Sequence, residues 1–99
     1  MVGRTYKLRA SDATAALIRT MHPQLKRKVR AALQSIQSDP TIGKPLKDEL
    51  AGLRSFRIGR LRVIYRAERG SYIDIIAVGP RRSIYEETYR IIRKEEGGI

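Results

Sequence analysis

The chain has no cysteine, a single histidine, His22, and no long hydrophobic run. Without thiols there is neither a disulfide framework nor a thiolate zinc site, and one histidine cannot build a metal cluster. The fold must rest on packing. The opening "MVGRTYKLRASDATAALIRTM" lacks the apolar stretch of a signal peptide, and no segment reaches the length of a membrane span. A soluble, cytoplasmic protein with no membrane contact is expected. There is no internal repeat, and 99 residues with 41% apolar content suit one domain, residues 1–99, around one core.

Acidic residues are also few. Ten Asp and Glu face twenty-one Lys and Arg, a formal charge of +11. That imbalance predicts a polyanionic partner. Fifteen of the cations are arginine and six are lysine. Lysine would suffice for solubility, whereas the planar guanidinium suits bidentate contact with phosphate, so the excess favours nucleic acid.

Periodicity supplies the elements. "RTYKLR" (Arg4 to Arg9) reads as a strand, Ser11 as a helix cap, and Ala13, Ala16, Leu17 and Met21 as one helical face. Pro23 suits the first turn of a second helix with Leu25, Val29, Ala32, Leu33 and Ile36 inward and Lys26, Arg27, Lys28 and Arg30 toward water. "SDPTIGKPLKDELAGL" reads as a connection with one helical turn around Leu46 to Leu50. The period then becomes two. Phe56 and Ile58, then Leu61, Val63 and Tyr65, alternate with polar positions around a tight turn at Gly59 and Arg60. "ERGS" turns again, and "YIDIIAV" is apolar on both faces, as a central strand would be. Ser83 and Glu86 have capping-box spacing for a last helix, and "KEEGGI" is expected to fray. The order β-α-α-β-β-β-α predicts an α+β domain with helices on one face of a twisted antiparallel sheet.

Strand alternation turns Arg57, Arg62 and Arg66 away from the apolar residues, onto a face expected to be uncovered. The stretch from Arg54 to Arg69 holds six arginines and one glutamate. Arg81 and Arg82 follow the last strand directly before a helix N-terminus, whose free N–H groups also favour anions. These features predict a nucleic-acid surface. Cleaving RNA through its 2′-hydroxyl requires a base, stabilisation of charge on the phosphorane, and an acid for the leaving 5′-oxygen. Arginine can supply only the second, so Arg62 and Arg81 are candidates for charge stabilisation and Tyr85 for proton donation. Arg57, Arg54, Arg66 and Arg82, with Lys44 and Lys47 of the connection, complete the candidate RNA-binding set. No histidine or carboxylate is evidently placed as the base. The competing reading of Tyr85 is an aromatic residue packing at the start of a helix.

"GKPLKDELAGLRSFRIGRLRVIYRA" and "IIAVGPRRSIYEETYRII" together resemble the RelE/ParE superfamily of toxins from type II toxin-antitoxin systems. The resemblance covers Gly43 to Ile92, carried by "Gly-x-x-Arg-Val-Ile-Tyr" and a late "Gly-x-Arg-Arg-x-x-Tyr". It implies a RelE-like fold, a helical hairpin and a C-terminal helix around a twisted antiparallel sheet. For RelE-like members it implies an mRNA interferase that cuts messenger RNA in the ribosomal A site, inhibits translation and uses no metal or cofactor. It maps the functional arginines onto Arg62 and Arg81 and the tyrosine onto Tyr85. It implies further a cognate antitoxin with an acidic segment that blocks the basic face or displaces the last helix. Where well-known members carry two lysines, this chain has Arg57 and Gly59, so proton abstraction has no clear owner and Lys44 or Lys47 become the substitutes. ParE-like members share the fold, inhibit DNA gyrase, and generally lack the full arginine and tyrosine set. A non-catalytic RNA-binding domain is the remaining alternative.

Overall fold

The computed structural model describes residues 6–67 and 72–96. Arg4 and Thr5 of the expected first strand, the "ERGS" turn and the closing Gly97 to Ile99 lie outside the described residues. The elements are β1 (Lys7–Ala10), α1 (Asp12–Arg19), α2 (Pro23–Ser38), β2 (Lys44–Pro45), β3 (Arg54–Ile58), β4 (Leu61–Ala67), β5 (Tyr72–Pro80) and α3 (Arg81–Glu96). The expected order is present, with β2 added inside the connection and short 3-10 turns at Pro40–Ile42 and Asp48–Leu50.

The sheet order is β1-β5-β4-β3-β2. β3, β4 and β5 form an antiparallel meander, and β1 joins it parallel to β5. β2 is an edge strand of two residues, one of them Pro45, which cannot donate to a further ladder. The β3–β4 turn falls at Gly59 and Arg60, where Gly59 adopts φ 57°, a left-handed conformation that glycine takes without penalty.

Local chemistry sets the helix starts. The Ser11 hydroxyl accepts from the Thr14 amide at 3.1 Å and caps α1. The His22 ring Nδ1 accepts from the Gln24 amide at 3.2 Å and caps α2, with Pro23 at the first helical position. In α2 the inward set is Val29, Ala32 and Ile36, with Leu33 packed against them. The expected face of α1 needs correction. Thr14 is its buried residue, Ile18 and Met21 pack on the core, and Ala13 and Leu17 face solvent. A reading of apolar residues alone passes over Thr14, whose hydroxyl is satisfied by Ser11 at 3.1 Å.

Helices were expected on one face of the sheet; they cover both. Val29, Ala32 and Ile36 of α2 meet Ile58, Val63, Tyr65, Ile73, Ile75 and Val78 on one side. Ile84 of α3 meets Leu53, Ile64, Ile76 and Ala77 on the other. That second core exists because the arginine-bearing parity of β4 also carries Ile64, fully buried. A bulge assists. Tyr65 pairs with Ile75 and Ile64 with Ala77, so Ile76 is an extra residue, and Ile75 and Val78 come to share a face three positions apart.

β5 runs into α3 with no loop residue between them. The helix starts at Arg81, so Ser83 lies within its first turn instead of capping it, and Glu86 binds Arg90 at 2.6 Å. Pro80 ends the strand with a φ compatible with helix entry, which moves the boundary ahead of the capping-box spacing. The helix also continues through Lys94 to Glu96, where fraying was expected.

The connection before β3 is held by a buried latch. The Tyr65 hydroxyl donates to the Pro40 carbonyl at 2.6 Å and accepts from the Gly43 amide at 2.9 Å. A side chain at Gly43 would place its Cβ 2.5 Å from that hydroxyl and 2.8 Å from the ring, so only glycine fits. Burial pushes the Tyr65 phenol above its ordinary range, against the smaller pull of the Gly43 hydrogen bond and Arg54. Hydrogen bonds from Thr41, side chain first and then backbone, with Arg54 nearby, hold the exposed Asp39 carboxyl below its ordinary range.

Candidate functional site

On the α3 side of the sheet, beyond the last turn of the second core, lies a hollow of about 270 Å³ lined by Arg57, Gly59, Arg60, Leu61, Arg62 and Arg81. Three elements converge to make it. Arg57 and Arg62 are direct cross-strand partners in the β3–β4 hairpin. Arg62 pairs on its other side with Gly79, where a Cβ would meet Ile84 Cδ1 at 3.3 Å and Glu87 Oε2 at 3.6 Å. Arg81 opens α3 at the rim. Four guanidinium groups thus border one cavity with no carboxylate among its lining residues.

Arg62 is the best-defined member. Its Nη1 donates to the Ser55 hydroxyl at 3.2 Å, and that hydroxyl lies 3.2 Å from the Tyr85 hydroxyl. Its Nε is buried and has no hydrogen-bond partner among the described residues. A buried N–H without an acceptor is uncommon and costly, and the side chain that carries it also borders the hollow. Arg57 is steadier than an exposed arginine usually is, because its Nε donates to the Gly59 carbonyl at 3.2 Å.

Tyr85 does not line the hollow itself; it joins Arg62 through Ser55. It also packs against the second core, so the aromatic-packing reading describes part of its role. Ser55 was not singled out from the sequence. The available signal was its parity, since it lies two residues before Arg57 on the same strand and therefore on the same face. Arg60, read only as a turn residue, is a second addition to the lining.

Other candidates lie elsewhere. Arg54 has the opposite parity, and its Nη1 donates to the Gly43 and Thr41 carbonyls at 2.7 and 3.2 Å on the Tyr65 side of the sheet. Arg66 sits about 13 Å further along β4 at 3.3 Å per residue, paired with Glu95 at 3.3 Å. Arg82 is exposed beside Arg81 and outside the lining. Lys44 on β2 is the direct cross-strand partner of Ser55, so it shares that residue's face at the sheet edge. Lys47 is exposed in the connection before the second 3-10 turn.

Among the described residues, no three His, Cys, Asp or Glu side chains come together as metal ligands, and no helix is long and apolar enough to cross a membrane.

Comparison with known proteins agrees with this architecture. The structure is similar to a toxin-antitoxin complex, RelBE2 of Mycobacterium tuberculosis, at 29% identity and TM-score 0.68, over 78% of this chain and 99% of that one. It shares its fold with a mutant of the Escherichia coli toxin RelE in the free state, at 16% identity and TM-score 0.72, over 92% and 97% of the two chains. It shares it also with the archaeal RelE-RelB complex of Pyrococcus horikoshii OT3, at 21% identity and TM-score 0.65, over 78% and 96%. No curated protein matches the sequence. The family model for the ParE toxin of the parDE type II toxin-antitoxin system matches residues 5–85. With that match spanning most of the chain and RelE structures sharing its fold, the chain belongs to the RelE/ParE superfamily of type II toxins.

Proposed function

We propose that this toxin is an endoribonuclease that inhibits translation by cutting messenger RNA engaged in the ribosomal A site. The observation that carries the reading is the convergence of four guanidinium side chains, Arg57, Arg60, Arg62 and Arg81, on one hollow with no carboxylate among its lining residues. In this reading a backbone phosphate of the RNA enters the hollow and is held by Arg57, Arg62 and Arg81. As the 2′-oxygen attacks, charge grows on the phosphorane, and preorganised guanidinium donors stabilise it more than they stabilise the ground state. Tyr85 donates a proton to the leaving 5′-oxygen. Lys44 is the candidate for taking the proton from the 2′-hydroxyl, because it stands across the strand pair from Ser55. Arg60 and Arg82 add sequence-independent attraction for the flanking backbone.

We assign the toxin a cytoplasmic site of action, and a cognate antitoxin whose acidic segment covers the hollow until released. The support is charge complementarity and the similarity to toxin-antitoxin complexes.

A second reading has its own support. The matching family model is that of ParE toxins, and ParE-like members inhibit DNA gyrase. The two readings separate in one experiment, primer extension on mRNA from a translating extract beside a gyrase supercoiling assay. The ribonuclease reading expects new RNA ends and normal supercoiling. Intact mRNA with blocked supercoiling would replace it with the gyrase reading.

A further inference from the structure

We infer that Ser55 is a positioning residue of this site, a relay that locks the Arg62 guanidinium and sets the direction of the Tyr85 proton. The inference rests on the ribonuclease reading for its catalytic meaning and on hydrogen-bond accounting for its geometry.

Ser55 is 3% exposed, one of three buried polar side chains among the described residues. Its hydroxyl has one proton to give and two lone pairs to receive. Arginine only donates, so the 3.2 Å contact from Arg62 Nη1 occupies a lone pair of Ser55. Two arrangements remain for the 3.2 Å contact with Tyr85. If the phenol donated, the Ser55 proton would be buried without an acceptor, because among the described residues its hydroxyl makes these two contacts only. If Ser55 donates, its own proton and both contacts are satisfied, and the phenol keeps its proton for an acceptor outside the pair. The positive charge on Arg62 strengthens the same choice, since a hydroxyl that accepts from a cation becomes a better donor.

The consequence is directional. The Tyr85 oxygen accepts from Ser55, and its proton is left for the leaving group. Arg62 loses rotational freedom at Nη1, which holds its side chain at the wall of the hollow. One small hydroxyl thereby couples the group that holds charge to the group that gives the proton. Alanine would break both contacts; threonine keeps the hydroxyl and suits a strand.

The test uses the full-length toxin, with Ser55→Ala and Ser55→Thr measured beside wild type and Tyr85→Phe. In single-turnover cleavage of ribosome-bound mRNA, Ser55→Ala should slow the cut by about 10- to 100-fold, and Ser55→Thr should recover most of it. The double variant Ser55→Ala, Tyr85→Phe should be slower than Tyr85→Phe alone by no more than the about two- to tenfold carried by the Arg62 contact, because residues acting as a unit are not additive. Sulfate titration is the second readout, and Ser55→Ala should weaken sulfate binding by about two- to tenfold, the loss of one hydrogen bond's worth of positioning. Urea midpoints identify any variant that has lost its fold. In that case the Ser55→Thr variant and the Tyr85→Phe background carry the comparison, and a threonine variant as slow as Tyr85→Phe while folded would count against the relay. Wild-type rates in folded Ser55→Ala, or multiplicative losses in the double variant, would overturn the inference. If wild type makes no cuts, the ribonuclease reading fails by itself, and the sulfate titration still decides the positioning of Arg62.

Discussion

Replacing Arg62 with methionine should abolish activity and leave the fold at least as stable, although a half-buried side chain is being altered. In the wild type the buried Nε has no partner, which costs about 1–3 kcal/mol. Arg57 lies directly across the strand pair, and like charges so placed cost a further 0.2–1 kcal/mol or about that. Against these stands the Nη1 contact to Ser55, worth about 1.5–3 kcal/mol for a charged donor. Methionine retains most of the aliphatic stem's packing, and Ser55 and Tyr85 keep each other as partners. The midpoints of these ranges sum to about 0.4 kcal/mol in favour of the variant, a rise in Tm of roughly 2–3 °C for a domain of this size. Sulfate should reverse the order. An anion at 100 times its Kd stabilises the protein that binds it by about 2.7 kcal/mol, and the variant should gain much less. The assay is urea unfolding of both proteins in low-salt buffer, with and without sulfate. A variant less stable by 2 kcal/mol or roughly that in sulfate-free buffer would refute the reasoning, because Arg62 would then be a structural residue and not a strained functional one.

Gly43→Ala should destabilise by about 1–3 kcal/mol, since its Cβ overlaps the Tyr65 ring; Tyr65→Phe should cost a similar amount, about 1–3 kcal/mol, by orphaning the Gly43 amide and the Pro40 carbonyl. Both are read from urea midpoints. The raised phenol of Tyr65 contributes stability that is fully present below the ordinary tyrosine pKa of about 10 and lost as pH rises through its folded value. Wild type should therefore lose more stability than Tyr65→Phe between pH 9 and about pH 11, and equal losses would contradict the burial argument. Lys44→Gln should slow single-turnover cleavage by about 10²-fold or more if it is the base, while sulfate affinity, governed by Arg57, Arg62 and Arg81, stays near wild type.

Period and parity carried much of this structure. The alternation at Phe56 and Ile58, then at Leu61, Val63 and Tyr65, sorts the two faces of the hairpin, and the same alternation turns Arg57 and Arg62 together. Their meeting with Arg81 follows from strand order, because Gly79 lies beside Arg62 and the next residues turn into α3. Parity also separates Arg54 from the hollow, but a local count of positive charge ignores parity and grouped it with the rest. Arg66 has the right parity and the wrong height along β4, a distance that alternation does not encode. The second core was hidden for a related reason. Ile64 stands between Arg62 and Arg66, and its partners Ile76 and Ala77 come from a strand whose bulge breaks the simple period. The parallel placement of β1 and the two-residue β2 depend on long-range pairing that short segments do not signal. Parity places Ser55 on the face of Arg57, but a small polar residue carries no chemical signal by itself, and its contacts with Arg62 and Tyr85 identify it.

The most direct measurement is the chemistry of the RNA ends produced in a translating extract, with an otherwise identical message carrying a single 2′-deoxynucleotide at the mapped cut. Attack by the 2′-oxygen predicts a 2′,3′-cyclic phosphate upstream and a 5′-hydroxyl downstream with the wild-type toxin. It predicts no cut at the deoxy position and strongly reduced cutting by Arg81→Ala. Equal cutting of both messages, equal activity of Arg81→Ala, or intact RNA beside arrested gyrase would contradict the account.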